Sequence, residues 1–308
     1  MRRILVGLVL LLVAAVALPP LWFQVFPADP PPELARGDRR IPVGDGVEVS
    51  AVLRGGGKPV VLVHGLPGCG HDWRELTAVL SRRGHRVIAY DRVGYGHSDP
   101  RPDDDFTIDA NARELLALIE GQDLHDATVV GWSYGGAVAI RAARLDDARI
   151  GRLVLVASAG YWPDAPGPPL LEPLIFSAPV MAWLRAVPPA GDVVRAAFSA
   201  QAFGDEPMPE WWLPQLAANF AMPHTATTNR EESARMTWGE SLDAAPVERP
   251  ILVIHGDADR LVPLEVARQI DARAPQSQLY VVEGGSHMLP VTHADEIAKL
   301  VAAFVLVR

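Results

Sequence analysis

Cysteine is almost absent from the sequence, since Cys69 is the single cysteine among 308 residues. An intrachain disulfide needs two cysteines, and metal sites built on thiolates need two or more. The sequence therefore excludes an internal disulfide and a multi-cysteine metal site, and it leaves the compartment open.

Positive charge is also scarce. The chain has 28 lysine and arginine residues against 37 aspartate and glutamate residues, for a formal net charge of −9 at pH 7. Binding to nucleic-acid phosphates needs a concentrated basic face, so this balance argues against a nucleic-acid partner. The sequence shows no internal repeat, and its length and 49% hydrophobic residues suit one large α/β domain or a core with an insert.

The N-terminal residues 1–26 contain an uncharged apolar stretch, residues 4–23, of about the length that spans a bilayer as a helix. Two arginines precede it and favour a cytoplasmic N-terminus, with the main domain extracytoplasmic. Alternatively, residues 15–17 (Ala-Val-Ala) are a signal-peptidase site, and the cleaved protein is secreted. We favour an uncleaved membrane anchor, because the apolar run continues past that site.

Residues 27–40 are proline-rich and predict an extended linker. Residues 47–53 then predict an edge strand. Short apolar runs that predict buried strands alternate with helical patterns at residues 72–83, 107–120, 264–273 and 293–305. This alternation predicts an α/β fold with a mostly parallel central sheet flanked by helices. The apolar runs are residues 60–63, 86–90, 127–130, 152–157, 251–254 and 279–282.

The alternation stops over residues 160–247, which are rich in proline and tryptophan and show no strand signal. We predict that they form a helical cap, inserted after strand 6, over a core of residues 41–159 and 248–308. The aromatic residues of this insert predict either an apolar substrate pocket or the small core of the cap itself. They include Trp162, Trp183, Trp211, Trp212, Trp238, Phe198, Phe203 and Phe220, with Met222 beside them.

The pentapeptide Gly-Trp-Ser-Tyr-Gly at residues 131–135 lies between a predicted strand and a predicted helix. This context is typical of a nucleophile elbow, in which a sharp turn holds the serine in a strained backbone conformation. The glycines permit strand and helix to close around the turn. We therefore predict Ser133 as a nucleophile.

A serine hydroxyl needs a base, and the base needs an orienting acid. His287 follows the last predicted strand and is the candidate base, whereas His293 is placed to start the final helix. Two aspartates follow the predicted strand at residues 251–254. Asp257 is placed to cap the turn, and Asp259 lies far enough into the loop to reach His287. The order Ser133, Asp259, His287 is that of an α/β-hydrolase triad.

The oxyanion of a tetrahedral intermediate needs two N–H donors. The backbone N–H of Tyr134, directly after the serine, is one candidate. The other is the N–H of Leu66 in the loop after residues 60–63, because Gly65 allows a tight turn there and Pro67 has no N–H. We interpret His64 in this loop as a structural hydrogen-bonding group.

The sequence resembles the capped α/β-hydrolases, including monoacylglycerol-lipase-like enzymes, in five ordered motifs that span residues 47–308. The motifs are His64-Gly65-Leu66-Pro67-Gly68, Asp91-Arg92-x-Gly94-x-Gly96-x-Ser98, Gly131-x-Ser133-x-Gly135, Gly256-x-x-Asp259-x-x-Val262-Pro263 and Gly285-x-His287. The resemblance implies a structural role for the turn at residues 91–98. Dehalogenases and epoxide hydrolases of similar pattern carry aspartate at the elbow, so serine implies an acyl-enzyme and no cofactor or metal.

The expected activity is hydrolysis of a small hydrophobic or lipid-like carboxylic ester. Two alternatives use the same triad: a carbon–carbon bond hydrolase, and a cofactor-free haloperoxidase or perhydrolase. A third alternative is a binding module without turnover. The intact set of predicted catalytic residues argues against it, because binding alone does not require them. The oligomeric state stays open.

Overall fold

The computed structural model describes residues 36–145, 148–160, 188–235 and 247–306. The predicted anchor or signal segment, residues 1–26, and most of the predicted linker lie outside these ranges. Within the described ranges, no helix is both long and apolar enough to cross a membrane.

Eight strands form one sheet in the order β1-β2-β4-β3-β5-β6-β7-β8. The strands from β3 to β8 are parallel, while β2 pairs antiparallel with both β1 and β4. This mostly parallel sheet confirms the predicted fold class. The strands are β1 Arg39–Pro42, β2 Glu48–Arg54, β3 Lys58–Val63, β4 His85–Tyr90, β5 Ala127–Trp132, β6 Ile150–Val156, β7 Ile251–Gly256 and β8 Ser277–Val282.

Helices cover both faces of the sheet, so the central strands are buried along most of their length and mainly apolar. Alternate residues of β3 belong to different cores: Val61 and Val63 to one, Val60 and Leu62 to the other. Burial on both sides explains the unbroken apolar runs. The helices of the sheet layers are α1 Arg74–Arg82, α2 Ile108–Gly121, α3 Tyr134–Leu145, α7 Leu264–Arg273, α8 Leu289–Thr292 and α9 Ala294–Leu306, with a 3₁₀ turn at Gly70–Trp73.

Residues 47–53 were expected to form an edge strand. They do form a strand, but the prediction that it lies at the edge of the sheet was wrong. That strand is β2, and β1 pairs outside it. The four residues of β1 begin inside the predicted linker, and only Ile41 among them is buried. Because one buried side chain makes no alternating pattern, residues 39–42 carry no strand signal.

Three described helices lie between β6 and β7: α4 Pro188–Phe203, α5 Trp212–Ala221 and α6 Thr225–Arg235. Contacts to core loops include a hydrogen bond from Asn219 Nδ2 to the Gly68 carbonyl at 2.9 Å. We name the described residues 188–235 the cap helices. Residues 161–187 and 236–246, with Trp162, Trp183 and Trp238, lie outside the described ranges, so the extent of the whole cap stays a prediction.

Candidate active site

Ser133 occupies the turn between β5 and α3 with a φ angle of 53°, a left-handed conformation that is costly for serine. This turn brings backbone atoms so close to two residues that only glycine fits at these positions. A Cβ atom at Gly131 would lie 2.4 Å from the Gly135 carbonyl oxygen, and one at Gly135 would lie 2.2 Å from the Val63 carbonyl oxygen. The elbow is therefore packed directly against the carboxyl end of β3.

Asp259 and His287, which follow β7 and β8, are brought together. His287 Nδ1 lies 2.8 Å from Asp259 Oδ2, and Asp259 Oδ1 accepts hydrogen bonds from the backbone N–H groups of Leu261 and Val262 at 2.8 and 2.9 Å. Burial raises the pKa of Asp259, but His287 and the Val262 N–H lower it by a larger amount, and the net pKa is below its usual value. A carboxylate at this position accepts a hydrogen bond from His287 Nδ1, which assigns the ring proton to Nδ1 rather than to Nε2.

The two alternative residues lie elsewhere. His293 directly precedes α9, and its Nδ1 is 3.1 Å from Glu206 Oε1 rather than near Asp259. Asp257 Oδ1 accepts a hydrogen bond from the Gly284 backbone N–H at 2.7 Å, which matches the turn-capping role expected of it.

The loop that carries His287 is fixed from two sides. Trp132 Nε1 donates a 2.9 Å hydrogen bond to the His287 carbonyl. On the other side, the backbone N–H of Ser286 donates to Glu206 Oε2 at 2.7 Å. Glu206 lies just after α4, so the cap helices contribute to holding this loop.

Ser133 and His287 line the same cavity. Apart from these two residues, the described side chains that line it are apolar. Two come from the cap helices, and the others come from the core. They are Leu66, Pro67, Trp132, Phe198, Trp212 and Met288.

The loop of Leu66 lies against the elbow, since a Cβ atom at Gly65 would be 3.0 Å from Ser133 Cβ. His64 supports this loop as a structural group, as predicted. Its Nε2 accepts the Arg92 backbone N–H at 2.9 Å, so its proton is assigned to Nδ1, which donates to the Gly65 carbonyl at 2.9 Å. Burial and the nearby Arg92 guanidinium hold the pKa of His64 well below its usual value, so the ring is neutral.

Sequence reasoning missed a buried ion pair behind this loop. Arg92 and Glu232 side chains are 1% and 0% exposed, and Arg92 Nη1 lies 2.8 Å from Glu232 Oε1. Burial lowers the pKa of Arg92, but the adjacent Glu232 carboxylate raises it by a larger amount. The net pKa is above its usual value, so the guanidinium stays charged. Arg92 belongs to the motif that was interpreted as structural. Glu232 carried no signal, because nothing in its own helix marks its partner.

His255, the fifth residue of β7, was also not singled out. Its Nε2 lies 2.9 Å from the Val262 carbonyl and 3.4 Å from Asp259 Oδ2. It therefore supports the turn that presents Asp259. In the part of the chain that the structure describes, no three His, Cys, Asp or Glu side chains are grouped so that they could hold a metal ion.

The chain is similar to known proteins over most of its length. Residues 58–294 match the family model described as alpha/beta hydrolase fold. The chain is 31% identical over 274 residues to a putative non-heme chloroperoxidase from Synechocystis sp., covering 81% of this chain and 92% of that protein. It is 27% identical over 271 residues to a 2-hydroxymuconate semialdehyde hydrolase from Pseudomonas sp., covering 85% and 92%. An esterase structure from Exiguobacterium antarcticum aligns with a TM-score of 0.73 at 22% identity, covering 86% of this chain and 98% of that one, which concerns the fold alone.

Proposed function

Because the chain belongs to the alpha/beta hydrolase fold family, we propose that it is a serine hydrolase that cleaves a carboxylic ester of a hydrophobic substrate. The observation that carries this proposal is the cavity shared by Ser133 and His287, whose other described lining side chains are apolar. An apolar acyl or alcohol group gains free energy by leaving water for such a cavity.

In the proposed mechanism, His287 Nε2 takes the proton of the Ser133 hydroxyl while Oγ attacks the ester carbonyl carbon. The backbone N–H groups of Leu66 and Tyr134 stabilise the oxyanion. The protonated His287 then gives its proton to the departing alkoxide, which leaves an acyl group on Ser133. Water, deprotonated by His287, attacks this acyl group and releases the carboxylic acid.

Asp259 takes no proton in this scheme. Its carboxylate orients the imidazole and stabilises the imidazolium that forms at each proton transfer. The hydrogen bonds from Leu261 and Val262 keep the carboxylate in place between these transfers.

A perhydrolase is a second candidate, supported by the relative named as a chloroperoxidase. On the same acyl-enzyme, hydrogen peroxide would replace water and release a peracid. A carbon–carbon bond hydrolase is supported by the relative that acts on a semialdehyde.

The test is hydrolysis of p-nitrophenyl esters from acetate to palmitate by the full chain in mild detergent, with Ser133→Ala as the comparison. We expect turnover that peaks at one acyl length and falls by about 10³-fold or more in the variant. Peracid formation when peroxide is added would favour the perhydrolase. Turnover of dienoic keto acids with no ester turnover would favour the carbon–carbon hydrolase, and a folded protein inert to all of these would contradict an enzymatic role.

For the place of action, we propose that residues 1–26 anchor the catalytic domain to the membrane on its extracytoplasmic side. The twenty uncharged residues and the preceding arginines support this. Mass spectrometry of the natural protein in the membrane fraction tests it. An intact N-terminus is expected, whereas a soluble product that begins after residue 17 would support a cleaved signal peptide.

A further inference from the structure

The Gly65–Leu66 peptide group is held by its carbonyl. The Gly65 oxygen accepts hydrogen bonds from Arg92 Nη2 at 3.2 Å and from His64 Nδ1 at 2.9 Å, and all of these groups are buried. A trans peptide is planar, with its C=O and N–H on opposite sides. Fixing the carbonyl toward Arg92 therefore fixes the Leu66 N–H away from Arg92, and Leu66 itself lines the cavity that contains Ser133.

Arg92 is in turn held by Glu232 of helix α6. The two guanidinium nitrogens Nη1 and Nη2 donate to the two carboxylate oxygens at 2.8 and 3.0 Å. The Glu232 carboxylate also accepts hydrogen bonds from two other side chains, Tyr95 Oη at 2.8 Å and Asn111 Nδ2 at 2.8 Å. Such a bidentate contact gives the guanidinium one orientation.

The same guanidinium contacts the residue of the second predicted donor. Its central carbon lies 4.7 Å from the centre of the Tyr134 ring, and Tyr134 supplies the N–H next to Ser133. Arg92 therefore contacts the peptide group of one predicted donor through the Gly65 carbonyl, and the side chain of the other through the Tyr134 ring.

The charge of Glu232 matters for two reasons. A buried guanidinium without a counter-charge is strongly unfavourable, so Arg92 would move toward water and release the Gly65 carbonyl. In addition, a charged donor on a peptide carbonyl polarises the peptide and strengthens its N–H as a donor. Both effects act on the Leu66 N–H without any contact between Glu232 and the substrate.

We propose that Glu232 is a positioning residue for the oxyanion site, acting through Arg92 on the Gly65–Leu66 peptide. A cap helix would then set the stabilisation of the transition state at a loop of the core. This inference rests on the proposed function, because it requires that the Leu66 N–H binds an oxyanion.

The test compares Glu232→Gln with Glu114→Gln in the full chain. Glu114 also forms an ion pair with a buried arginine, Arg101, at 2.5 Å, and both Nη1 and Nη2 of Arg101 donate to Glu114 rather than to the Gly65 carbonyl. For Glu232→Gln we expect kcat to fall about 10- to 100-fold, less than the loss of an oxyanion donor outright, with KM within about 3-fold. The affinity for an alkylboronic acid, which forms a tetrahedral adduct on serine, should weaken by the same factor as kcat/KM. Glu114→Gln should leave all three within about 3-fold.

Both variants are assayed below their own melting temperatures, so that unfolding does not contribute. The double variant Arg92→Met/Glu232→Leu removes both charges, and it should regain stability relative to Glu232→Gln. We expect it to keep the kcat defect, because the Gly65 carbonyl still lacks its charged donor.

Three results would overturn the proposal: unchanged kcat and boronate affinity in Glu232→Gln, an equal loss in Glu114→Gln, or wild-type kcat in the double variant. A wild-type protein that neither turns over esters nor binds the boronic acid would instead remove the proposed function. The two failures are therefore distinguished by the wild-type measurement.

Discussion

Asp259→Asn keeps the shape of the side chain but exchanges one hydrogen-bond acceptor for a donor. In the structure, Oδ1 accepts from two backbone N–H groups, and Oδ2 accepts from His287 Nδ1 at 2.8 Å. An amide NH₂ cannot face two N–H donors, so the amide oxygen must stay with the backbone and the NH₂ must face His287.

His287 Nδ1 must then accept a hydrogen bond, which moves the ring proton to Nε2. A protonated Nε2 cannot take the proton of Ser133. We expect kcat to fall about 10³- to 10⁴-fold, or about 4–5 kcal/mol of activation free energy, with KM within about 3-fold. Because the backbone N–H groups keep their acceptor, the melting temperature should change by about 2 °C or less.

The measurement is steady-state ester hydrolysis at neutral pH together with thermal melting. Asp257→Asn is the matched control, since it lies in the same loop and accepts one N–H from Gly284; its kcat should stay within about 2-fold. Asp259→Ala should lose activity equally and also about 1–3 kcal/mol of stability, because two N–H groups lose their acceptor. Retention of more than about a tenth of wild-type kcat in Asp259→Asn would show that the Asp259 carboxylate does not set the position of the His287 ring proton.

Three further predictions concern the surroundings of the site. Gly135→Ala should cost about 1–3 kcal/mol of stability and lower kcat, since its Cβ would lie 2.2 Å from the Val63 carbonyl; an equally stable variant in a thermal melt would contradict this. Burial raises the pKa of Asp72 from 3.8 to about 7, so the folded state holds a proton that the unfolded chain releases between those values. The contribution of Asp72 to stability should therefore fall as pH rises from 4 to 7, so that Asp72→Asn gains stability relative to the wild type over this range; identical pH slopes in thermal melts would argue against it. Trp132→Phe removes the donor to the His287 carbonyl and should lower kcat about 5-fold, whereas unchanged turnover would show that this bond does not position the loop.

The sheet layers could be predicted from the sequence because their signals are local. Apolar runs marked the strands β3 to β8, and the helix predicted at residues 264–273 coincides with α7, Leu264–Arg273. β1 could not be predicted, because its one buried side chain is Ile41. Its pairing with β2 is a tertiary contact that short-range periodicity does not contain.

The proximity of Asp259 and His287 could also be predicted, because both follow strands whose carboxyl ends meet at one edge of a parallel sheet. The catalytic roles themselves stay predictions. The support of the site by Arg92 and Glu232 could not be predicted, since their contact joins residues 140 positions apart. A glutamate in a polar helix is ordinarily exposed, and only the fold makes this one a buried partner.

In the proposed mechanism, Ser133 carries the acyl group. Mass spectrometry of the protein quenched during turnover of a p-nitrophenyl ester tests it most directly, with a fluorophosphonate that reacts with activated serines as a parallel label. We expect both the acyl and the phosphonyl mass on the peptide that contains Ser133, and neither in Ser133→Ala. Ester turnover that persists in Ser133→Ala, or a label on another residue, would exclude Ser133 as the nucleophile.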